Sequence, residues 1–549
     1  MSLIRLFVCV LSLQAVPADL VIENARIWSD GFVGFAEFAA VRDGRFVYVG
    51  ARHADLIGER TEVIDARGRV VVPGLIDSHI HMLGGGLQLL RLHLRDAADR
   101  QEFVRRVTEH ATGLPPGAWI LGGRWSTESW SDPEQPTRAW VDDAVGEHPL
   151  FLSRMDGHSA LVNTAALALA GITAQGPPDP IGGVIDRDTL TGEPTGILRD
   201  TAMGLVSRYI PATTLQEKVG ALRRAASKAL EHGITAVSDI PSLEDLPAYA
   251  RLAETETDVR FYLYVTAGDW RDAVQRVRSF PQQPGRVEIR GMKTYLDGSM
   301  GSRTAYMREP YLGNDSSRPG WRGLLRDGVE DGQLAARYHV ARRAGLQPIA
   351  HAIGDEANHI LLDILRDVYR DDLAAARCRA EHVQHLLPGD IARFGALGVI
   401  ASMQPYHKAD DGRYAERYIG PQRARSSYAY KSLLDTGAVV VFGSDWPVVS
   451  LNPFLGMEAA VTGRILDGGT WQTQQNITVA EALRCYTSSA AWAMFAENEI
   501  GRIARGLRAD FVILDRSPFD PDVDWSAIRP VRVFVGGKRG RGDGGTGEK

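Results

Sequence analysis

The sequence predicts an α/β protein centred on a closed (β/α)8 barrel of the TIM type. From Gly233 to Pro447, short β-branched runs alternate with amphipathic helical segments, and one earlier strand completes a set of eight. Several of these strands end in potential metal ligands, at the edge where such barrels place their active sites. An open doubly wound sheet is the alternative, but no glycine-rich dinucleotide loop follows the first strand.

Length and charge restrict the class of protein. The 549 residues suffice for one large domain with additions. Acidic and basic residues nearly balance at a net charge of -6, so neither nucleic acid nor a membrane surface is expected as a partner. We expect a small-molecule substrate, and an oligomer is compatible with the sequence. Cys378 and Cys485 are far apart in apolar settings and are predicted to be buried thiols.

Residues 1–18 are predicted to be a signal peptide. Arg5 precedes the apolar run LFVCVLSL, and small residues suited to cleavage come just before Asp19. Export to the periplasm or the medium is therefore expected. The alternative is a cytoplasmic protein with an extended start. No other apolar segment approaches the length that is needed to span a bilayer.

The two ends of the chain share one pattern of short alternating apolar runs, as in DLVIENARIWSD and RADFVILDRSP. Residues 19–72 are predicted to form an antiparallel meander. Together with residues 502–549 they are expected to build a small β-sandwich domain. Residues 73–501 then contain the barrel.

Eight segments are predicted as barrel strands because they are short, mostly β-branched and alternate with helices. In chain order they are VVVPGLIDSHIH, GITAVSDI, RFYLYV, VEIRGMKTYLDG, LQPIAHAIGD, RCRAEHVQ, GVIASMQP and AVVVFGSDWP. Helices are predicted at residues 215–230, 330–344 and 356–369, where apolar residues recur at helical spacing.

An inserted subdomain is predicted at about residues 96–208, after the first barrel strand, because the sequence there is irregular. It contains a segment with a helical pattern, DGHSALVNTAALALAGI, and a predicted hairpin with turns at Asp188 and Thr191-Gly192. Loops on such a frame tend to determine specificity.

The first barrel strand ends with a carboxylate and two histidines. Asp77, His79 and His81 alternate along the strand, so their side chains point to the same side. Paired imidazoles in this arrangement suit zinc and similar cations. A lone His-x-His pair is weak support, since such histidines are often hydrogen-bonded polar residues at a strand end.

Further polar residues fall at or near the ends of later strands. They are Lys293 in the fourth, His351 in the fifth, His382 in the sixth and Asp445 after the eighth. Each has an ordinary structural explanation by itself: a hydrogen-bonded core histidine, a helix cap, or a lysine paired with a carboxylate. Together they would converge on one barrel mouth.

The motifs PGLIDSHIH, DGHSALVN, GEPTGIL, GMKTYLDGSMGSRTA, HAIGDEA, EHVQ, SMQPYH and FGSDWPV span nearly the whole chain. In these motifs the sequence resembles the metal-dependent amidohydrolase superfamily, and within it the amidohydrolase family 3 branch of N-substituted formamide deformylase-like proteins. The closing segment GRIARGLRADFVILD belongs to the same resemblance.

The resemblance implies a site with two divalent metal ions. One is held by His79, His81 and Asp445, and the second by the histidines His351 and His382. Lys293 would bridge the two as a carbamate formed from CO₂, since a bare ammonium would be repelled by two dications. Zinc is the expected metal, and the ligands would also accept manganese, iron or cobalt.

The reaction implied is hydrolysis of a non-peptide carbon–nitrogen bond, in an N-formyl or N-acyl amine. A water shared by the metals attacks as hydroxide, and Asp445 accepts its proton and returns it to the leaving nitrogen. Alternatives are an ester, lactone or phosphoester hydrolase with the same site, and a metal-binding protein without turnover.

Three further residues are predicted to contact substrate. His158 in DGHSA and His407 in QPYH would donate hydrogen bonds, although loop histidines equally often hold backbone in place. Trp125, with Trp119 and Trp130, is predicted to form an apolar wall over the site, and core packing is the alternative.

Overall fold

The structure is a computed structural model. It describes residues 16–127, 130, 134–154, 159–180, 183–254, 258–266, 268, 270–313 and 320–540, with only the backbone of Asp200. Most of the predicted signal peptide therefore lies outside the described residues.

Strands occur in the terminal, inserted and central parts of the chain. In chain order they are β1 Leu20–Glu23, β2 Arg26–Ile27, β3 Phe38–Arg42, β4 Arg45–Gly50, β5 Glu62–Asp65, β6 Val70–Pro73, β7 Leu75–Ile80, β8 Leu92–His93, β9 Ile120–Trp125, β10 Leu150–Arg154, β11 Ser159–Val162, β12 Gly183–Arg187, β13 Pro194–Asp200, β14 Ile234–Asp239, β15 Arg260–Thr266, β16 Val287–Tyr295, β17 Gln347–Ala352, β18 Arg379–His382, β19 Ile400–Met403, β20 Val440–Phe442, β21 Phe511–Leu514, β22 Pro530–Val535 and β23 Lys538–Arg539.

Helices connect these strands. They are α1 Met82–Leu90, α2 Arg100–Thr112, α3 Asp142–Val145, α4 Thr164–Leu169, α5 Met203–Ser207, α6 Leu215–Glu231, α7 Leu246–Ala253, α8 Trp270–Ser279, α9 Gln333–Ala344, α10 Asp355–Tyr369, α11 Leu373–Ala376, α12 Pro388–Leu397, α13 Pro405–Asp411, α14 Ala415–Ile419, α15 Pro421–Ala424, α16 Tyr430–Asp435, α17 Pro453–Thr462, α18 Val479–Cys485 and α19 Ser488–Ala493.

The centre of the fold is an eight-stranded parallel sheet in the order β20-β19-β18-β17-β16-β15-β14-β7. All neighbouring pairs in it are parallel. Its strands correspond to the eight segments that the sequence predicts, although Val70–Pro73 of the first segment is strand β6 of another sheet, and the TIM-barrel fold class is confirmed. Because the strands are parallel, their carboxyl ends meet at one edge and bring the terminal polar residues together.

The barrel closes between β7 and β20 through backbone bonds just past the strand ends. The Asp445 amide donates to the His79 carbonyl at 2.7 Å, and the His81 amide donates to the Trp446 carbonyl at 2.9 Å. The buried carboxylate of Asp77 accepts from the amides of His79 and Ser444 at 3.1 and 3.0 Å. The first and last strands are thus joined at the residues that carry the candidate ligands.

Several helices end in glycines with left-handed backbone just before a barrel strand. Gly345 ends α9 before β17 with φ 69°, and Gly398 ends α12 before β19 with φ 67°. Gly233 precedes β14 with φ 78°. A residue with a Cβ rarely adopts this conformation, so glycine sets where each strand begins.

Strands from both ends of the chain share sheets outside the barrel. A four-stranded sheet has the order β4-β3-β1-β5, and a five-stranded sheet has the order β2-β6-β21-β22-β23. One hydrophobic cluster contains residues of both sheets, among them Ile22 and Phe511. The predicted antiparallel meander is correct for β1, β3 and β4, which pair antiparallel, but wrong for the rest, because β1 pairs with β5 and β2 with β6 in parallel. The chain thus passes to the other sheet at β2 and β6 instead of turning back within one.

Residues 83–225 form a compact unit by themselves, and the remaining residues form the other unit. A six-stranded sheet in the order β12-β13-β11-β10-β9-β8 lies in this inserted unit. The hairpin of β12 and β13 has the predicted turn, since the Gly192 amide donates to the Asp188 carbonyl.

The helix predicted across DGHSALVNTAALALAGI is only partly correct. Ser159–Val162 is strand β11, paired with β10 and β13, and α4 begins after Asn163. The Asn163 side chain accepts a hydrogen bond from the Ala166 amide and so caps the helix. Partners distant in sequence therefore override the helical pattern before this asparagine.

Two further features of the described residues agree with the sequence. Cys378 and Cys485 are buried free thiols, as predicted. None of the described helices combines the length and apolar character of a membrane span.

Replacing Gly291 with Ala tests the close spacing of β16 and β17. A Cβ at this position would lie 1.9 Å from the Gln347 backbone oxygen, so G291A should lose at least about 2 kcal/mol of stability. Thermal melting and soluble yield measure this loss. The matched control is Gly220→Ala in α6, where a Cβ meets nothing within 4 Å and helix propensity improves. Equal melting temperatures for the two variants would contradict the expectation.

Candidate metal centre

A cavity of 370 Å³ opens at the carboxyl ends of the barrel strands. Its lining combines imidazoles, carboxylates and an amine with apolar and phenolic side chains. The lining residues are His79, His81, Lys293, Tyr295, Ser299, Met300, Gly301, His351, Ile353, His382, Gln384, His407, Asp410, Asp411, Tyr414, Asp445, Val448 and Val449.

Asp445 lies between two groups of histidines. Its Oδ1 is 3.5 Å from His79 Nε2 and 3.2 Å from His81 Nε2. Ligand atoms of these three residues all lie within 4.8 Å of one another, a spacing that can hold a metal ion. His79 is buried and His81 is partly exposed, so this group faces both the barrel interior and the cavity.

A second group shares the same carboxylate. Ligand atoms of His382, His407 and Asp445 also lie within 4.8 Å of one another. The rings of His382 and His407 are parallel, with centroids 6.2 Å apart, and Asp445 Oδ2 is 3.9 Å from His407 Nε2. This second group thus includes His407, which the resemblance does not name as a metal ligand.

His351 lies beside this second group and lines the cavity. Its ring centroid is 4.5 Å from that of His382. Its Nε2 is 2.9 Å from the Gly298 carbonyl and 3.4 Å from Asp297 Oδ1, so Nε2 carries the hydrogen and Nδ1 holds the lone pair. Such a backbone contact fixes the tautomer of a metal-binding histidine.

Lys293 is a buried amine in the wall of the cavity. Its Nζ lies 5.1 Å from the centroid of the Tyr295 ring, and only 2% of the residue is exposed. Burial lowers the pKa of Lys293 to about 8, although the nearby charges of Glu381 and Asp445 act in the opposite direction. About a tenth of this amine is therefore neutral at pH 7, far more than for an ordinary lysine.

Three imidazoles of the site, those of His79, His351 and His382, are kept neutral by burial. Desolvation lowers the pKa of His79 to about 4 and that of His351 to about 3, and it holds the pKa of His382 well below its usual value. Burial alone would raise the pKa of Asp445, but a hydrogen bond from His81 and the neighbouring imidazoles keep it well below its usual range. Neutral imidazoles beside an ionised carboxylate are the state that a divalent cation requires.

A buried ion pair between Glu381 and Arg379 orients His79. Glu381 Oε2 is 2.5 Å from His79 Nδ1, and Glu381 Oε1 accepts from Arg379 Nε at 2.8 Å. Arg379 also donates to the Ser78 carbonyl and to the Ser402 hydroxyl. Burial would raise the pKa of Glu381, but Arg379 and His79 hold it well below its usual range. The carboxylate thus orients His79 with Nε2 toward Asp445.

The backbone is strained at two of the candidate ligands. His382 and Asp445 have φ of 77° and 58°, and Val383, which follows His382, has φ 47°. Such values are uncommon for residues with a Cβ and genuine outliers for β-branched ones. Because strand alternation breaks there, Glu381 and His382 are buried around the same site although they are adjacent in sequence.

Seven of the nine predicted site residues line the one cavity: His79, His81, Lys293, His351, His382, His407 and Asp445. His158 lies outside the described residues. Trp125 is 1% exposed, packs in the core of residues 83–225 and donates to the Leu152 carbonyl. The position of Trp125 agrees with the alternative of core packing, because a side chain covered by its own core has no free surface for substrate.

The sequence interpretation missed the residues that support the ligands. Glu381 and Arg379 contact His79 and each other, and Gln404 Oε1 is 2.7 Å from His382 Nδ1. One signal was available: Arg379 and Glu381 alternate on a predicted barrel strand, and charged residues are seldom fully buried unless they are paired.

A family model described as the amidohydrolase family matches residues 62–539. The chain belongs to the amidohydrolase family. Protein LONG AFTER FAR-RED 3 of Arabidopsis thaliana is 36% identical over 554 residues, which cover 95% of this chain and 92% of that relative. N-substituted formamide deformylase of Arthrobacter pascens is 28% identical over 543 residues, with coverage of 94% and 97%.

A solved structure agrees with this assignment. The crystal structure of an uncharacterized metal-dependent hydrolase from Pyrococcus furiosus matches with a TM-score of 0.74 and 26% identity, covering 91% of this chain and 99% of that chain. The fold and the His/Asp groups at the barrel mouth are those of a metal-dependent amidohydrolase.

Glu381→Gln should weaken metal binding in this amidohydrolase by about 10- to 100-fold, since it removes the charge that orients His79 while keeping the shape of the side chain. The metal content after dialysis against graded chelator measures the change. The matched control is Glu497→Gln, which removes the carboxylate partner of Arg377 outside the cavity lining. Wild-type metal affinity in E381Q would rule out the orienting role.

His385 gives a test of pH dependence in the barrel. It is buried and hydrogen-bonded to Ser427 Oγ at 2.7 Å, and burial lowers its pKa to about 3. Below a pH of about 6.5 the unfolded chain binds a proton there that the folded chain does not, so this histidine lowers the free energy of unfolding on acidification.

The stability advantage of the wild type over His385→Asn should therefore shrink on acidification, by about 2 kcal/mol between pH 7 and pH 5. Thermal melting of both proteins across this range measures it. Ser427→Ala removes the same hydrogen bond but keeps the imidazole, so its deficit should stay nearly constant. Parallel pH curves for wild type and H385N would contradict the assignment.

Proposed function

We propose that the protein is a metal-dependent hydrolase that cleaves the carbon–nitrogen bond of a non-peptide amide, in an N-formyl or N-acyl amine. The observation that carries this proposal is the position of Asp445, whose single carboxylate is shared by two groups of histidines at the barrel mouth. The similarity to N-substituted formamide deformylase over nearly the whole chain supports the choice of substrate class.

The residues fit a pair of divalent ions, for which zinc is our choice. His79, His81 and Asp445 would hold one ion, and His382 with Asp445 would hold the other, completed by His351. The outer nitrogens of His79 and His382 are engaged by Glu381 and Gln404, so the inner Nε2 atoms are left for metal. Bound there, the metal supplies Lewis acidity, which lowers the pKa of water and polarises a carbonyl group.

Asp445 is the proton carrier in this proposal. It is the carboxylate among the candidate ligands, and its low pKa keeps it ionised before the reaction begins. Its Oδ2 would take the proton from the attacking water and return it to the leaving nitrogen as the carbon–nitrogen bond breaks. The amine then leaves neutral and the acyl group leaves as a carboxylic acid.

His407 is assigned to the substrate carbonyl rather than to metal. The Gln384 amide nitrogen lies 3.3 Å from His407 Nδ1, so Nδ1 accepts and the hydrogen is on Nε2. Among the described residues, that Nε2 has no hydrogen-bond partner although the residue is only 9% exposed. A buried donor beside Asp445 is suited to an oxygen that gains negative charge during attack.

Lys293 is assigned as a carbamate formed with CO₂. Its low pKa supplies the neutral amine that reacts with CO₂, and the product replaces a cation with an anion among metal ligands. The chain then needs bicarbonate to assemble the full site.

The test is release of amine from a panel of N-formyl and N-acyl amines, with protein reconstituted in zinc and bicarbonate. Release that a chelator abolishes and added zinc restores is the expected result. Asp445→Asn should reduce kcat by at least about 1,000-fold, because it removes both the proton carrier and a shared ligand. Asp435→Asn, which alters an exposed carboxylate paired with Lys431, is the control.

Three outcomes would contradict parts of this proposal. Hydrolysis of esters or lactones, with no amine released from any amide, would replace the substrate class. Full activity in D445N would remove Asp445 from the mechanism. Activity that resists complete removal of metal would overturn metal dependence.

A further inference from the structure

The cavity extends from the histidine groups along helix α13 to an acidic end. His407, Asp410 and Asp411 follow one another at helical spacing on α13, and all three line the cavity. Residues three and four positions apart lie on one helix face, and four residues advance about 6 Å along the axis. The carboxylates of this end therefore stand one helical turn beyond the substrate donor His407.

Asp411 is a buried carboxylate without a cationic partner. It is 6% exposed and accepts hydrogen bonds from the hydroxyls of Tyr414 and Tyr428. In the described part of the chain no lysine or arginine forms an ion pair with it, whereas Asp410 pairs with Arg413. Keeping a charge away from water is costly unless an opposite charge compensates it.

A second observation points to a ligand in the same space. His407 lines this cavity, and its buried Nε2 has no hydrogen-bond partner among the described residues. Apolar side chains complete the lining around these polar groups, including Met300, Val448 and Val449. The cavity thus offers a donor at one end, an acidic group at the other, and apolar surface around both.

We propose that the acidic end at Asp411 receives a positively charged amino group of the substrate. This inference rests on the proposed function and narrows it: the substrate is an N-acyl amine that carries a second, basic nitrogen beyond a short apolar spacer. The ammonium group supplies the counter-charge that Asp411 lacks, and Asp410 contributes less because Arg413 already neutralises it.

The protonation of Asp411 is consistent with this role. Burial raises its pKa, and the hydrogen bonds from Tyr414 and Tyr428 lower it. A bound ammonium ion would lower it further, so cation binding and ionisation of this carboxylate favour each other.

Three matched substrates test the inference on the wild-type holoenzyme. They are N-formylcadaverine, which ends in ammonium, N-formylhexylamine, which ends in methyl at the same length, and the corresponding formamide that ends in carboxylate. We expect kcat/KM to fall in that order, with about 10- to 100-fold between ammonium and methyl. A preference for the methyl or the carboxylate end would overturn the inference while leaving the hydrolase proposal intact.

The Asp411→Asn variant tests whether Asp411 causes the preference for the ammonium substrate. It should reduce the ratio of kcat/KM for the ammonium and methyl substrates by about 10- to 100-fold, mainly through KM. The exposed Asp435→Asn variant should keep the wild-type ratio. An unchanged ratio in a D411N protein with wild-type melting temperature would show that Asp411 only anchors its two tyrosines.

If no substrate is hydrolysed, binding measurements distinguish the inference about Asp411 from the hydrolase proposal. Kd values for N-formylcadaverine and N-formylhexylamine are measured by calorimetry in the D445N background, with and without D411N. Tighter binding of the ammonium compound that D411N abolishes supports the acidic end even when no substrate is hydrolysed. Equal Kd values for the two compounds would reject it whether or not the protein is a hydrolase.

Discussion

The contact between Glu381 and His79 beneath the barrel mouth is the interaction on which the rest of the site depends. It joins a buried carboxylate to the first ligand of the first strand, and Arg379 compensates its charge from within the same strand. Neither partner is exposed, so the pair is strong only while all of its members are present. The ring of His79 therefore has one orientation, and the position of Asp445 follows from it.

The contact that closes the barrel also positions residues of the candidate metal site. The bond from the Asp445 amide to the His79 carbonyl joins the last strand to the first at the two residues whose side chains share a candidate metal. The left-handed backbone at His382 and Asp445 has a cost of about 1–3 kcal/mol at each residue. The surrounding strands hold these conformations, so the geometry exists before any ligand binds.

The sequence predicts the barrel well because its strands are short, apolar and regularly spaced, and because parallel strands bring their ends together whatever the loops do. His79, His81, His351 and His382 could be placed at one mouth from this rule alone. Glu381, Gln384 and Gln404 could not, since their role depends on which ring nitrogen faces inward. The sequence left two positions open for Trp125 for a related reason: an aromatic residue in an insertion has the same pattern whether it packs in a core or covers a site.

The pairing of the terminal strands followed no local pattern. β1 and β2 are short and apolar whichever sheet they join, and their partners lie far along the chain in β5, β6 and β21. Likewise, the two carboxylates on α13 look like an ordinary solvated helix end in the sequence. Only the contacts from Tyr414, just after the helix, and from Tyr428, in a later segment, show that one of them is buried.

One feature of the fold ties the two ends of the chain to the chemistry. β6 pairs with the C-terminal strand β21, and the single residue Gly74 separates β6 from β7, the strand that presents His79. A Cβ at Gly74 would lie 2.2 Å from Thr235 Oγ1, so the strands are packed without slack at this junction. The position of the first barrel strand therefore depends on the terminal sheet. During synthesis β6 can pair with β21 only after residues 511–514 have been made, so the sheet that holds the strand carrying His79 is completed late in folding.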